Sequence, residues 1–377
     1  MDKNANRSKP SAKKNLIRTK RQSNSMKIII TLGVLVVIAV SYFLIDKGSY
    51  VGAVNNNRIT KAEYLFFLSQ QKMSTESQEG ITSKTDEEKE AFWLKTTDGQ
   101  NPWETAKLEA LNNSKEYMIQ ILEAAKLGLK VDSSIKSQAE SSMADTKTSL
   151  GSPTDRQFDQ YIKSIFGINT TQLTSITEKL ILIDKFRSQY IDSNYKAQEL
   201  SDDDVKARYD EDTKVFDKVD IRYVALYKTD DNGTTLAQAD LDKKKAQAEE
   251  ALSKLKAGDD IDEVIKAYTE EEAAEDSTDP LGKATLAYSE SSSVQDMVNW
   301  AFAGAVGDAS FFDTTYVYYT VIITGRTAYD EVKATVKSTI ESENETAFYE
   351  DALKKWSAQS EYNIVKNDWV YDSIGYK

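Results

Sequence analysis

Apolar and polar positions follow a helical period through the first half of the chain and change to a mixture of periods near residue 200. Val51-Gly52-Ala53-Val54, an Asn55-Asn56-Asn57 turn and Arg58-Ile59 read as a short strand or hairpin feeding a helix. Thr60-x-x-Glu63 opens that helix as a capping box, in which the hydroxyl accepts an early helical N–H and the glutamate reaches back. Tyr64, Leu65, Phe67 and Leu68 form its apolar side. Residues 73–103 are polar, carry Gly80, Gly99 and Pro102, and predict a long loop with one short helix around Phe92 and Trp93. From Glu104 to Leu127, Leu108, Leu111, Met118, Leu122 and Ala125 recur on one helical face, and Gly128 follows where a left-handed cap is needed. Further helices are predicted over residues 134–150, 154–166 and 170–195, so residues 60–195 read as a helical bundle.

Beyond residue 200 the pattern changes. Ser201-Asp202-Asp203-Asp204 caps one more helix, and from Asp220 the residues Ile221, Tyr223, Ala225 and Tyr227 alternate with Arg222, Val224 and Leu226 as a strand. Asp231-Asn232-Gly233 is a turn, helices are predicted over 236–255, 261–268 and 294–302, and residues 316–324 form a second strand. This is a small α/β domain. A last helix over 330–356 places Val332, Val336, Ile340, Ala347 and Trp356 on one stripe, which needs a partner that the earlier bundle can supply.

The N-terminus is of another kind. Ile28–Ile45, IIITLGVLVVIAVSYFLI, is 18 residues without a charge, about 27 Å as a helix and close to a bilayer core. It reads as a membrane span or a long signal-peptide core, for which Val51-Gly52-Ala53 or Ala39-Val40-Ser41 offers a loose cleavage site. The run exceeds the usual signal core and the second candidate lies inside it, which favours a retained transmembrane helix. Residues 1–27 carry nine basic residues against one acid, and the positive-inside rule keeps such a tail in the cytoplasm, leaving everything after Asp46 outside. That tail accounts for +8 of a net charge of −13, so the other 350 residues carry −21. With no aromatic side chain among its charges for base stacking, no nucleic-acid role is expected of it.

Composition then removes whole classes of chemistry. The 377 residues contain no cysteine and no histidine, which excludes disulfides, thiolate nucleophiles, Ser-His-Asp triads and imidazole or thiolate metal sites. No phosphate loop or dinucleotide motif is present, so no cofactor is expected. Acidic runs at Asp202–Asp204 and Glu270–Glu272 lack the alternating spacing of a calcium loop; they read as solvated charges at helix N-termini, and no metal is expected.

The order of the pieces resembles a known family. VGAVNNNRITKAEYLFFL, LEAAKLGLKVDSS and SDDDVKARYDEDTKVFDKVDIRYVAL are similar to segments of the PrsA-like and SurA-like foldases, and residues 220–326 resemble a parvulin-type peptidyl-prolyl isomerase domain. Within that domain, AFAGAVGDASFFDTTYVYYTVIITGR matches the run of a Phe, a Gly-x-x-Ser turn, a threonine and a last strand. The resemblance covers most of residues 50–370. It implies an α+β ectodomain made of a helical SurA-N-like chaperone domain (50–205, completed by the C-terminal helix over 327–377) and a small parvulin-like domain (206–326). To these, hydropathy and charge alone add the basic cytoplasmic tail (1–27) and the single transmembrane helix (28–45), an anchor without the lipidated cysteine of the PrsA-like lipoproteins.

The resemblance also marks the departures. The first parvulin histidine falls at Tyr223 after Arg222, and the second at Tyr319 after Tyr318. The family's Cys or Asp corresponds most nearly to Glu271, and its Gly-Gly-Asp-Leu-Gly turn is reduced to Asp279-Pro280-Leu281-Gly282. The apolar cradle for a proline ring falls near Ser293 and at Met297, and Phe302 keeps the packing phenylalanine. Prolyl isomerisation breaks no covalent bond, so a pocket helps by holding a twisted, desolvated amide. Tyrosine hydroxyls can stand in for the imidazole network, but the reading favoured for Tyr223 and Tyr319 is that of core residues on neighbouring strands.

Three functions follow as expectations. The first is a membrane-anchored extracytoplasmic chaperone or foldase that binds unfolded, newly secreted polypeptides in an apolar crevice of the helical domain without ATP, its parvulin-like domain catalytically impaired. The others are an active peptidyl-prolyl cis-trans isomerase and a surface scaffold for one folded partner. Monomer and dimer stay open.

Overall fold

The computed structural model describes residues 48–96, 99, 101–272, 279–288 and 294–376; the basic tail and the apolar run over 28–45 lie outside the described residues. The chain has a mixed helical and sheet fold and divides into two compact units, one of residues up to Tyr195 plus those from Ala347, the other of Lys196–Thr346.

In the first unit, β1 (Tyr50–Val54) and β2 (Asn57–Thr60) form an antiparallel hairpin. Asn55 and Asn56 turn it with φ of 46° and 62°, the left-handed pair that a two-residue hairpin loop requires and that asparagine tolerates. β7 (Ile364–Lys366) pairs antiparallel on the other side of β1, so the end of the chain completes the sheet β2-β1-β7. Six helices follow the hairpin: α1 (Lys61–Gln78), α2 (Asp86–Leu94), α3 (Pro102–Lys126), α4 (Ser133–Ser149), α5 (Asp155–Phe166) and α6 (Thr170–Asn194). Thr60 and Glu63 form the capping box of α1, as Thr154 and Gln157 do for α5, and Gly167 ends α5 at φ 67°.

Three expectations are corrected in this unit. The stretch 73–103 is more regular than its composition implies. α1 runs on to Gln78, and Trp93 of α2 is fully buried against Trp103, with its indole donating to Glu76 at 3.1 Å. Leu108 is 55% exposed, because the buried face of α3 runs through Trp103, Ala106, Lys107, Ala110, Leu111, Tyr117 and Met118 instead. Ala347 is exposed as well. The last long helix, α11 (Tyr329–Ser357), has one buried side up to Thr346, where Val336 meets Val205, Tyr209 and Phe216, and another beyond it, where Tyr349 meets Ala124, Leu182 and Phe186. One heptad stripe over that length drifts by about 20° per heptad, and the two halves have different partners.

The second unit is built on a four-stranded antiparallel sheet of order β4-β3-β6-β5. β3 (Lys218–Tyr227) and β6 (Val317–Arg326) are central; the flanking β4 (Lys283–Ala287) and β5 (Ala309–Asp313) were not expected from the sequence. α8 (Gln238–Ala257) and α9 (Ile261–Tyr268) cover one face, where Val224, Leu226, Tyr318 and Ile322 meet Ala248, Ala251, Leu255 and Ile265. The other face carries Val219, Ile221, Val321 and Ile323 under Met297 and Ala301 of α10 (Gln295–Ala303). Each fully buried Val or Ile stabilises by about 1.5–3 kcal/mol relative to exposure, so both faces hold the sheet. α7 (Asp202–Glu211) opens the unit with Ser201 and Asp204 as its capping box.

Candidate functional site

The period of two in β3 and β6 selects the site. Tyr223 and Tyr319 point to the same face as Ile221 and Val321, and both pack at the edge of the cluster that contains Met297, with Phe302 also against it. Tyr319 pairs across the sheet with Ala225, two residues beyond Tyr223, which places the two rings on a diagonal. Their centroids are 5.7 Å apart and their planes cross at 80°, an edge-to-face pair. The structure therefore brings Tyr223, Tyr319, Met297 and Phe302 together; Ser293 lies outside the described residues.

Glu271 completes the group. The Tyr223 hydroxyl donates to Glu271 Oε1 at 2.9 Å, while Glu271 Oε2 is buried without a hydrogen-bond partner among the described residues. Burial first, and then this hydrogen bond, push the Tyr223 hydroxyl well above the ordinary phenol range, so it stays a neutral donor committed to the carboxylate. Tyr319 is also raised, by burial and then by the neighbouring Tyr227 and Glu271. No hydrogen bond engages its hydroxyl among the described residues, which leaves it as the free donor of the pair.

The backbone around the site is pinned by groups next to Tyr223. Its N–H donates to Gly282 O at 2.7 Å, and the Arg222 guanidinium donates to Leu281 O at 2.8 Å and to Asp262 at 2.6 Å. Arg222 thus clamps the shortened Asp279–Gly282 turn against β3. Gly282 sits at φ 66°, and a Cβ there would lie 2.2 Å from the Tyr223 carbonyl oxygen, so that turn needs glycine. Glu270–Glu272 do not stand at a helix N-terminus as expected. They follow the end of α9, where Glu270 accepts from the Tyr227 N–H at 2.8 Å and from Lys244 at 2.7 Å. Asp202–Asp204 do occupy the first turn of α7.

Beside this cluster, a cleft of about 300 Å³ is lined by Val294, Gln295, Asp296, Met297, Phe312, Asp313, Thr314 and Thr315. It shares Met297 with the tyrosine group, but Tyr223, Tyr319 and Glu271 do not line it. The first unit has its own cleft of about 340 Å³, with Leu65, Leu68, Trp103, Ile165, Phe166 and Tyr376 as apolar walls and Lys61 and Lys72 at its side. Sequence reasoning identified no residue of that cleft as a site, since its walls come from α1, α3, α5 and the C-terminal segment. Among the described residues no group of three or more carboxylates is placed to hold a metal ion, and no helix is long and apolar enough to cross a membrane.

No family model matches the chain. It is 23% identical over 313 residues to the foldase protein PrsA of Caldanaerobacter subterraneus subsp. tengcongensis, covering 82% of this chain and 85% of that protein. With the foldase protein PrsA of Halalkalibacterium halodurans it shares 22% identity over 229 residues, 59% of this chain and 60% of the relative. Among solved structures, the crystal structure of foldase protein PrsA from Streptococcus pneumoniae is 18% identical, covers 74% of this chain and 99% of its own, and has a TM-score of 0.34. The resemblance to PrsA-like foldases, carried first by a handful of short motifs, thus extends over most of the chain.

Proposed function

We propose that this protein is a membrane-anchored extracytoplasmic foldase that holds unfolded, newly secreted polypeptides without ATP, and whose parvulin-like second unit is catalytically impaired. The observation that carries the impairment is the hydrogen bond of Tyr223 to Glu271. A twisted prolyl amide gains from donors held ready for it in a dry site. Here one of the two tyrosines in the histidine positions spends its only proton on a carboxylate, and the carboxylate adds negative charge where a substrate carbonyl oxygen would approach. The apolar cleft of the first unit supports the holding role, since it exposes aromatic and aliphatic walls without a nucleotide motif in the chain. The anchor is supported by the 18-residue apolar run behind a strongly basic tail. The domain bounds that go with this reading are a helical chaperone domain over 50–205 with 327–377, and a parvulin-like domain over 206–326.

The test is a protease-coupled prolyl isomerase assay on the detergent-solubilised full chain. No acceleration is expected from the wild type or from Tyr223→Phe. Acceleration by the wild type would overturn the impairment. A specific observation favours that second reading, an active isomerase: Tyr319 packs against the cluster that contains Met297, and among the described residues no hydrogen bond engages its hydroxyl. In that case Tyr319→Phe abolishes the acceleration and Tyr223→Phe does not.

A further inference from the structure

The described chain begins at Gly48, three residues beyond the apolar run, and its surroundings there are fixed from two sides. Ser49 O accepts the Lys61 N–H at 2.9 Å, and Asn367 donates its side-chain amide to Tyr50 O at 2.9 Å and its backbone N–H to Val51 O at 2.8 Å. The chain therefore leaves the first unit beside the turn that follows β7. That turn carries Trp369, in the short helix α12 (Asp368–Tyr371), with its ring against Gly48: a Cβ at Gly48 would lie 3.6 Å from Trp369 Cζ3. Trp369 is nonetheless 56% exposed, and Val365 on the edge strand leading to it is 71% exposed.

Three residues of chain reach at most about 11 Å. If Ile45 marks the outer end of the membrane span, Gly48 lies within that distance of the bilayer surface and Trp369 is in contact with Gly48. We propose that Trp369 inserts into the outer interface of the bilayer and docks the first unit on the membrane beside its anchor; this rests on the anchored reading. An indole with an apolar body and a polar N–H suits the headgroup boundary better than either water or hydrocarbon. Charge does not drive the contact, because Lys366 is paired with Asp368 at 2.9 Å and the chain outside the basic tail is strongly acidic. The partner is therefore a lipid surface of no net charge, recognised through its interfacial region.

The experiment uses the full chain in zwitterionic proteoliposomes, with lipids brominated near the top of the acyl chain as quenchers. Trp369→Phe serves as the reference, and the difference between wild-type and variant emission reports Trp369 alone. The proposal expects that difference emission to be lost to brominated lipid and protected from aqueous acrylamide. Quenching by acrylamide with no loss to brominated lipid, in chain that resists alkaline extraction from the vesicles, overturns the docking and leaves the anchor standing. Release of the chain by alkali overturns the anchored reading and the docking with it. A second readout does not depend on the variant's folding. The chain has no native cysteine, so a dye at Leu127→Cys is unique. Leu127 caps α3, whose last turn contacts Tyr362 at the far end of β7 from Trp369, so the dye is expected to stay in water, and its quenching by brominated lipid overturns docking through Trp369.

Discussion

Glu63 is a polar residue of the first unit whose removal the structure makes costly. It is 2% exposed, yet each of its oxygens is fully engaged. Oε2 accepts from the Thr60 N–H at 2.7 Å and the Thr60 hydroxyl at 2.8 Å, while Oε1 accepts from the Tyr117 hydroxyl at 3.2 Å and from Lys179 at 2.6 Å. One side chain thereby ties the start of α1 to α3 and α6. Glu63→Ala removes the reciprocal half of the capping box, about 1 kcal/mol. It also leaves the Tyr117 hydroxyl, on a residue 2% exposed, without an acceptor, about 1–3 kcal/mol more. Lys179 adds under about 1 kcal/mol, because its side chain is 34% exposed and can turn to water. The sum is about 3 kcal/mol, the lower end of what breaking a buried ion pair costs. Glu63→Gln keeps an acceptor for Thr60 but turns an NH2 toward other donors, so its loss falls between wild type and alanine. The assay is urea unfolding followed by tryptophan fluorescence in a Trp300→Phe background, since Trp300 is the one tryptophan of the second unit. An alanine variant within about 0.5 kcal/mol of wild type, the range of ordinary surface changes, refutes the reasoning. So does a glutamine variant less stable than alanine.

Two further outcomes are expected. Gly282→Ala pushes a Cβ against the Tyr223 carbonyl at a left-handed φ, and destabilises the second unit by about 3 kcal/mol or more as read from Trp300 emission in urea; a loss under about 1 kcal/mol contradicts the close approach. The Asp159 carboxyl, held down to about 2 by Lys163 and then by the Thr170 N–H, is depressed in the folded chain, so its stabilisation is present above about pH 4 and is lost as pH falls through about 2. Carbon-13 NMR of that carboxyl should give a midpoint near 2, and a midpoint near 4 would show that the α5–α6 junction lacks this contact.

What was legible in the sequence was local or periodic. Thr60 and Glu63 announce a capping box because both partners lie within one turn, and Gly258 ends α8 at φ 87° for the same kind of reason. Tyr223 and Tyr319 fall on one face because strands repeat every two residues, although only the resemblance said that the two strands are neighbours. The second role of Glu63, bridging to Lys179 116 residues away, has no sequence signature. The burial of Trp93 was hidden in the same way: its partners Glu76 and Trp103 sit in a stretch whose polar composition reads as loop. β4 and β5 are five residues each with polar members, too short for a period to show, and they exist because β3 and β6 offer them edges. Glu270–Glu272 look like any solvated acidic run until β3 places Tyr223 and Tyr227 against them.

The central claim, that the chain holds unfolded polypeptides without a nucleotide, is tested most directly by light scattering. A chemically denatured client is diluted into nucleotide-free buffer with the detergent-solubilised full chain at equal molarity, beside a detergent-only control. The account predicts that scattering is suppressed for several unrelated clients. Scattering that rises as in the control for every client would contradict it.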